Sequence, residues 1–407
     1  MVRLAIVGIG GYGRMLIDAI RTVGEEMDVS LVAAAEMNLA RSAEQADRLG
    51  EEGVELFEDA EKMFSAMRGK CEAVYIASSI DTHAPLTIAA AEAGLHVHLE
   101  KPPAATIEEV DRMQEALQRT GRMCLVGFHQ IHGAETRRLK QRLGEGRLGA
   151  VRTLACRAGW PRTRSYYQRN DWAGRLRRGD RWVLDGPATN ALAHQINNML
   201  YAASTDARGY ADPISVRAEL YAAGPIESHD TAAIEIRTQQ GATAYWLGSH
   251  CSEGQFGPII EIEAERARVL WKPSASLQID YEDGTSETFT GGGERVDMVR
   301  NFVAAVQADD GSRLRCTMTD ARKFVLALDG AHESSGRIHR IPSERTHLVD
   351  EGTDRERTVV DGLDKLLARA AGAPCLLSDL DGAPDWVVPG EPFDLTGYTA
   401  FGRRFIA

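Results

Sequence analysis

The stretch MVRLAIVGIGGYGR, residues 1–14, read together with Glu36, decides the fold. Val2 to Val7 is a short apolar run of the kind a buried parallel strand needs. Gly8, Gly10 and Gly13 follow as G-x-G-x-x-G, and Met15 to Ile20 reads as a helix. In that pattern Gly8 permits the tight turn, Gly10 lets the backbone approach a pyrophosphate, and Gly13 lets helix and strand pack closely. Gly11 and Tyr12 sit in the same loop, and the diphosphate is expected on the N–H groups at the helix start. A second apolar run, Val29 to Ala35, ends in Glu36. An acid about 20 residues past the last glycine is where the ribose 2′-hydroxyl of NAD is bound. A carboxylate there repels the 2′-phosphate of NADP, although Arg41 nearby leaves NADP as the lesser alternative.

Further along, strands and helices alternate. A capping-box pattern, Ser42-Ala-Glu-Gln45, opens a helix. A short strand at Leu56–Phe57 and a helix over Ala60–Met67 come next. Ala73 to Ala77 is a strand that ends in Ser78 and Ser79, on the cofactor edge of such a sheet. Asp81 to Gly94 is a helix with Gly94 as its C-terminal stop. His96 to Leu99 is a strand ending in Glu100-Lys101-Pro102-Pro103. A second capping box, Thr106-Ile-Glu-Glu109, starts a helix that runs to Thr120, and Met123 to Phe128 closes the series. The alternation argues a doubly wound parallel sheet over residues 1–128.

The periodicity then changes. Ile131–Leu143 is helical. Strand-like runs follow at Val151–Arg157, Ile214–Tyr221, Ala232–Arg237, Ala242–Leu247, Ile259–Glu263, Ala267–Trp271 and Leu277–Tyr281. Many alternate apolar and polar residues, as an antiparallel sheet with one covered face does. Helices are expected at 190–203, 295–308 and 319–335. The division read from this is 1–128 for dinucleotide binding and 129–343 for an α+β substrate and oligomerisation domain with a large open, mainly antiparallel sheet. Residues 344–407, rich in Pro, Gly and Asp turns, form an extension of unassigned role.

Composition bounds the function. Hydrophobic residues at 43% and charged residues at 26% of 407 describe an ordinary globular chain. A net charge of −12 argues against nucleic acid or an anionic membrane as partner. The six cysteines form no C-x-x-C pair, which points to reduced thiols and a cytoplasmic location without a structural zinc. No histidine and carboxylate pair has metal spacing, so no metal is expected.

Three segments compete for the chemistry. Lys101 lies at the carboxyl end of a strand, placed to orient a substrate hydroxyl or pass a proton; a surface lysine before a Pro-Pro turn is the alternative. The helix Asn190–Ala203 has no Lys, Arg, Asp or Glu. Its stripe of Asn190, His194, Asn197, Asn198 and Tyr201 reads as a face lining a cleft or packing on the other domain. His194 is suited to proton relay by its ordinary pKa of about 6.5, with a structural histidine as the alternative. The third segment, Arg157–Trp182, holds eight arginines among Trp160, Tyr166, Tyr167, Trp172 and Trp182. Aromatic faces suit a sugar ring and arginine suits a carboxylate or phosphate; a loop packed on a partner subunit is the other reading. Trp160, Arg162, Tyr166 and Trp172 are its substrate-contacting candidates. His83 reads equally as a helix cap or a cofactor contact. His129 reads equally as a neighbour of the nicotinamide or a buried hydrogen-bonding group.

These residues resemble the glucose–fructose oxidoreductase, inositol dehydrogenase and rhizopine-catabolism (Gfo/Idh/MocA) oxidoreductases. The matching pieces are Gly8–Gly13, Ala77–His83, His96–Pro102, Val126–Phe128, Gly146-Arg-Leu-Gly149 and the helical run Asp320–Gly336. The resemblance covers about residues 1–343. It implies a Rossmann domain followed by an open-sheet domain used in homodimers or homotetramers. It also implies NAD or NADP and a sugar or cyclitol substrate, and it makes Lys101 a site residue beside Glu100. The family's D-x-G-x-H-x-x-D matches Asn190-Ala-Leu-Ala-His194-Gln-Ile-Asn197, with both aspartates replaced. A register using Asp185 puts Thr189 at the histidine position and is less favoured. The reading that follows is an NAD-dependent oxidoreductase acting on a secondary hydroxyl, with Lys101 and His194 sharing proton transfer and Asn190 orienting the substrate. The alternatives are an enzyme that recycles hydride on tightly held NAD, as a lyase, epimerase or glycosidase, and a sensor or scaffold without turnover.

Overall fold

A computed structural model describes all 407 residues, which divide into two compact units. The first comprises 1–104, 108–132 and 293–322; the second comprises 105–107, 133–292 and 323–407.

In the first unit β1 (Val2–Val7), β2 (Val29–Ala35), β3 (Glu55–Phe57), β4 (Ala73–Ile76), β5 (His96–Leu99) and β6 (Cys124–Val126) form one parallel sheet in the order β3-β2-β1-β4-β5-β6. The order reverses at β1, which leaves a crevice outside the carboxyl ends of the strands. The connecting helices are α1 (Tyr12–Glu26), α2 (Ala43–Glu51), α3 (Ala60–Met67), α4 (Ile80–Glu92) and α5 (Ile107–Thr120). The Ser42 capping box is not made. Residues Leu39–Ser42 turn as a 3-10 helix that runs straight into α2, and Asn38 accepts the Arg41 N–H at its start.

The expected boundary at 129–343 misplaces one element. Helix α9 (Glu294–Ala308) packs Met298, Val299, Phe302 and Val303 among Leu4, Ile6, Leu16 and Tyr75, the core of the parallel sheet. Residues 293–322 therefore belong with the first unit.

The second unit begins with α6 (Ala134–Gly144), which starts three residues later than expected because His129–His132 form a 3-10 turn. Its sheet has ten strands. These are β7 (Val151–Gly159), β10 (Pro213–Ala222), β11 (Thr231–Thr238), β12 (Thr243–Ser249), β13 (Phe256–Ala264), β14 (Ala267–Lys272), β15 (Ser276–Tyr281), β16 (Ser286–Thr290), β17 (His339–Arg340) and β20 (Phe393–Asp394). Only β7 with β12 and β10 with β17 run parallel; the other neighbours are antiparallel. Strand β16, Ser-Glu-Thr-Phe-Thr, has too little apolar content to have been read from its pattern. A small pair, β8 (Arg177–Arg178) with β9 (Arg181–Trp182), lies in the arginine-rich arm, which also carries the one-turn helix α7 (Arg164–Tyr167). Helix α8 (Ala193–Ala202) and α10 (Met318–Ser335) from Lys323 onward complete this part.

The unassigned extension is ordered. Hairpin β18 (Thr346–Val349)–β19 (Arg357–Val360), helix α11 (Leu363–Gly372) and the edge strand β20 all belong to the second unit. Leu363, Leu366 and Leu367 of α11, with Leu376, Leu377 and Trp386, bury against Tyr221, Ala233 and Leu247 of the sheet. Each such leucine stabilises the packing by roughly 1.5–3 kcal/mol. Ile234 and Trp246 point to the opposite face and are fully buried too, so both faces of these strands are covered.

Candidate active site

The glycine loop is shaped by close approach. Gly8 stands at φ +84°, and a Cβ there would lie 2.3 Å from the Ala77 carbonyl oxygen. A Cβ on Gly13 would lie 2.0 Å from the Gly8 carbonyl oxygen, and one on Gly10 would lie 2.9 Å from Ser42 Oγ. The first turn of α1 follows Gly11 without a side-chain cap, the arrangement that receives an anion. Glu36 accepts the Ile9 N–H at 3.2 Å on one oxygen and the Asn38 N–H at 3.1 Å on the other. That aims the carboxylate while each oxygen keeps a second lone pair. A side chain at Gly8 or Gly13 would run into backbone and push the loop out of this shape, and the close-packed loop with its free helix start and Glu36 fits a dinucleotide.

The ends of β4, β5 and β6 supply the remaining groups of this unit. After β4, Thr82 donates its hydroxyl to the Ser79 carbonyl at 2.7 Å, and its oxygen lies 2.7 Å from the Ser78 hydroxyl. His83 is 1% exposed, with Nδ1 at 2.8 Å from the Pro102 carbonyl and Nε2 at 3.1 Å from the Ser78 carbonyl. With its ring nitrogens facing two backbone carbonyls, it braces the Glu100–Pro103 turn, the structural one of its two readings. Glu100 is likewise turned inward: it is buried, and its carboxyl fills the place a Cβ of Gly127 would take. Burial pushes its pKa up, against the pull of the Lys101 and Arg295 charges. Its Oε2 accepts the Lys101 N–H at 3.3 Å, so it supports the lysine instead of meeting the cofactor directly. Lys101 itself is half-buried.

His129 is buried, and its Nδ1 lies 3.2 Å from Tyr12 Oη. Burial, with the charges of Arg295 and Lys101, drives its pKa down to about 3, so the ring is neutral. Arg295, in the first turn of α9, donates Nε to the same Tyr12 hydroxyl at 3.3 Å. Arg295 was not foreseen. Its one signal in the sequence is a basic residue at a helix start, where the helix dipole disfavours a cation.

In the second unit, Asp185 organises the approach to α8. Its Oδ2 accepts the Gly174 N–H at 2.7 Å and its Oδ1 accepts the Asn190 amide at 2.8 Å. Leu184 before it holds φ +51°, uncommon for a bulky residue. Residues Pro187–Ala191 form a π turn ahead of Ala193, a bulge often found at functional sites. The register centred on Asn190 therefore does not lack a carboxylate: Asp185 stands against the amide.

All ten residues of α8 are buried, His194 included at 6% exposed. Asn197 donates to Tyr210 Oη at 3.4 Å, and Tyr201 packs on Tyr210 with ring centres 4.9 Å apart. Asn197 and Tyr201 therefore serve the interior and do not line an open cleft. Lys140 of α6 donates Nζ to the carbonyls of Tyr201, Ser204 and Gly209 at 2.6, 2.8 and 2.7 Å. It satisfies the end of α8 with a full charge at the negative pole of the helix.

In the arm, guanidinium groups alternate with rings. Arg162 lies 5.5 Å from the Trp160 ring centre and 4.5 Å from that of Tyr166; Arg169 lies 3.7 Å from Tyr166 and 5.2 Å from Trp172. The structure thus brings Trp160, Arg162, Tyr166 and Trp172 into one stack.

Residues 2–128 match the model of an oxidoreductase family with an NAD-binding Rossmann fold, and residues 136–270 match the Gfo/Idh/MocA C-terminal domain. The chain is 30% identical over 131 residues to D-glucoside 3-dehydrogenase of Escherichia coli (strain K12), covering 32% of this chain and 36% of that enzyme. It is 28% identical over 206 residues to inositol 2-dehydrogenase of Pseudomonas savastanoi pv. phaseolicola (strain 1448A / Race 6), covering 50% and 55%. These alignments span from about a third to about half of the curated relatives' own length. Among solved structures, levoglucosan dehydrogenase in complex with NADH and levoglucosan superposes with TM-score 0.71 at 20% identity over 82% of this chain and 97% of that one. WlbA dehydrogenase from Bordetella pertussis in complex with NADH and UDP-GlcNAcA gives TM-score 0.68 at 21% identity over 82% and 96%. At such identities the likeness is one of fold.

Proposed function

Because this chain belongs to the Gfo/Idh/MocA oxidoreductase family, we propose that it is an NAD-dependent dehydrogenase of a secondary hydroxyl on a sugar, glycoside or cyclitol. The observation that carries the reading is Lys101 at the carboxyl end of β5, with its N–H on the buried Glu100 carboxyl and its turn braced by His83. It stands in the same unit as the Gly8–Gly13 cradle and Glu36. Bound NAD supplies the hydride acceptor.

Gly8, Gly10, Gly11 and Gly13 keep the loop free of side chains for the diphosphate. Glu36 takes the ribose hydroxyls. Tyr12, Ser78, Ser79 and His129 are the further groups assigned to the cofactor. Lys101 binds the substrate hydroxyl and takes part in moving its proton. In the second unit, His194 is the second group assigned to that proton. Asn190, its amide fixed by Asp185, orients the substrate. Trp160, Tyr166 and Trp172 present ring faces to the apolar side of a sugar, with Arg162 between them. The relatives' names support this substrate class: one is a glucoside dehydrogenase and one an inositol dehydrogenase.

The test is Lys101→Ala, assayed for NADH formation beside NAD binding. The reading expects kcat to fall by about 10²-fold or more with NAD affinity within threefold of the parent. Turnover that survives the substitution would refute the role given to Lys101.

A further inference from the structure

The second unit contains a cavity of about 560 Å³, a size suited to a small molecule. Its walls come from four stretches far apart in sequence: the arm after β7, the segment from Gly224 to Asp230 between β10 and β11, Cys251 after β12, and Glu356–Thr358 at the start of β19 in the extension. Four guanidinium groups line it. Two are matched by carboxylates: Arg175 lies 3.2 Å from Glu227 and Arg164 lies 3.9 Å from Glu356.

The other two, Arg162 and Arg357, pair with no carboxylate. Arg357 donates to the carbonyls of Ser252 and Glu253, each at 3.0 Å. Those bonds aim the guanidinium without cancelling its charge. Arg162 is held by the Trp160 and Tyr166 rings, and its buried Nε meets no acceptor. The one other carboxylate in the wall, Asp230, is 1% exposed and turned into the protein, accepting the N–H groups of Ala223 and Gly224 at 2.8 and 2.7 Å. The cavity therefore presents two positive charges with planar donors, the chemistry that receives a carboxylate or phosphate.

Gly174 is a wall residue and gives its N–H to Asp185, which in turn holds Asn190. Arg162 belongs both to the cavity and to the aromatic stack. Within the second unit the cavity thus shares Arg162 with the aromatic stack and is tied to Asn190 through Gly174 and Asp185.

We propose that this cavity is an anion subsite, in which Arg162 and Arg357 hold the carboxylate or phosphate of an acidic sugar. The choice of a sugar rests on the dehydrogenase reading; the anion preference does not. Residues 356–358 give the extension its part in the site: it closes the wall and delivers one of the two charges.

Calorimetric titration of the full chain with D-glucuronate, D-glucose 6-phosphate and D-glucose tests this without turnover. At least one acid is expected to bind about tenfold or more tightly than D-glucose, and the tighter acid identifies the anion. Arg357→Gln is expected to bring the ratio of acid to neutral affinity to within about threefold, while Arg357→Lys restores part of it. Because Arg357 also ties the hairpin to Ser252 and Glu253, the parent protein supplies a second readout: added potassium chloride should erode the acid preference. Equal binding of all three probes, a salt-independent preference, or a preference that persists in both Arg357→Gln and Arg162→Gln overturns the proposal. If the acids are preferred but no sugar reduces NAD, the dehydrogenase reading fails and the subsite stands. If neutral sugars are oxidised and the acids gain nothing, the subsite fails alone.

Discussion

Gly13→Ala probes the dinucleotide cradle most sharply. The added Cβ would sit 2.0 Å from the Gly8 carbonyl oxygen and 2.9 Å from its carbon. Contacts of this kind are not seen below about 3 Å, so α1 and the loop must part by about 1 Å. Gly13 does not hold a positive φ, so the penalty is steric and owes nothing to backbone strain. Forcing a methyl into such a site costs roughly 1–3 kcal/mol. The protein can take that penalty in two ways. If the loop shifts, its N–H groups leave the diphosphate position and the NAD dissociation constant rises, by roughly 5- to 150-fold for that range. If the fold absorbs it, the unliganded protein melts earlier. Calorimetric titration with NAD and a thermal melt of the unliganded protein together capture both. Gly50→Ala is the control: it lies in α2 with nothing within 4 Å of the new Cβ. It should leave NAD affinity alone and add about 0.5 kcal/mol of stability. A Gly13→Ala protein that binds NAD within twofold of the parent and melts at the same temperature would refute the argument.

Three further outcomes follow from buried groups. Glu333 of α10 accepts the Tyr398 hydroxyl and the N–H groups of Gly402, Arg403, Arg404 and Phe405; burial pushes its pKa up, but these donors outweigh it and hold the carboxyl below its ordinary value. Glu333→Ala should lower stability by at least about 2 kcal/mol and open 398–407 to proteolysis, and an uncleaved tail would contradict it. Lys140→Met leaves three carbonyls without their donor and should destabilise by about 3 kcal/mol in urea unfolding; a change under 1 kcal/mol would show the carbonyls find water. Burial holds His98 and His129 down to about 3 and His332 to about 4, so the folded state binds fewer protons than the unfolded chain. Their stabilisation is full above the unfolded value of about 6.5 and is lost as pH falls toward 3. Each should lose about 1.4 kcal/mol between pH 7.5 and pH 5.5, and identical urea midpoints at the two pH values would exclude this.

The first unit was legible because its signals are local. Apolar runs bounded by glycines and acids mark each strand, and G-x-G-x-x-G with Glu36 has one physical use, so the parallel sheet appears where the pattern placed it. The place of Lys101, just past β5, was legible because the apolar run ends there. What escaped depends on contacts between distant segments. Arg295 meets Tyr12 across more than 280 positions of chain, and α9 joins the parallel sheet's core although more than 160 residues separate it from β6. The inward direction of His83 and Glu100 was not legible, because sequence gives the strand end but not the direction of a side chain. The pairing of Asp185 with Asn190 passes through a π turn, a bulge that breaks the helical spacing on which the motif register relied. The extension looked featureless because its strands are four residues or shorter and its one helix buries against a sheet formed more than a hundred residues earlier.

Dehydrogenation by this chain is tested by incubating it with NAD and a pool of sugars, sugar acids, glycosides and cyclitols, following nicotinamide absorbance and substrate mass together, with Lys101→Ala alongside. NADH is expected to accumulate in step with a product lighter by two hydrogens, and Lys101→Ala to bind NAD while forming both at least about a hundredfold more slowly. A product of unchanged mass appearing without NADH, or oxidation that proceeds in Lys101→Ala as in the parent, would contradict it.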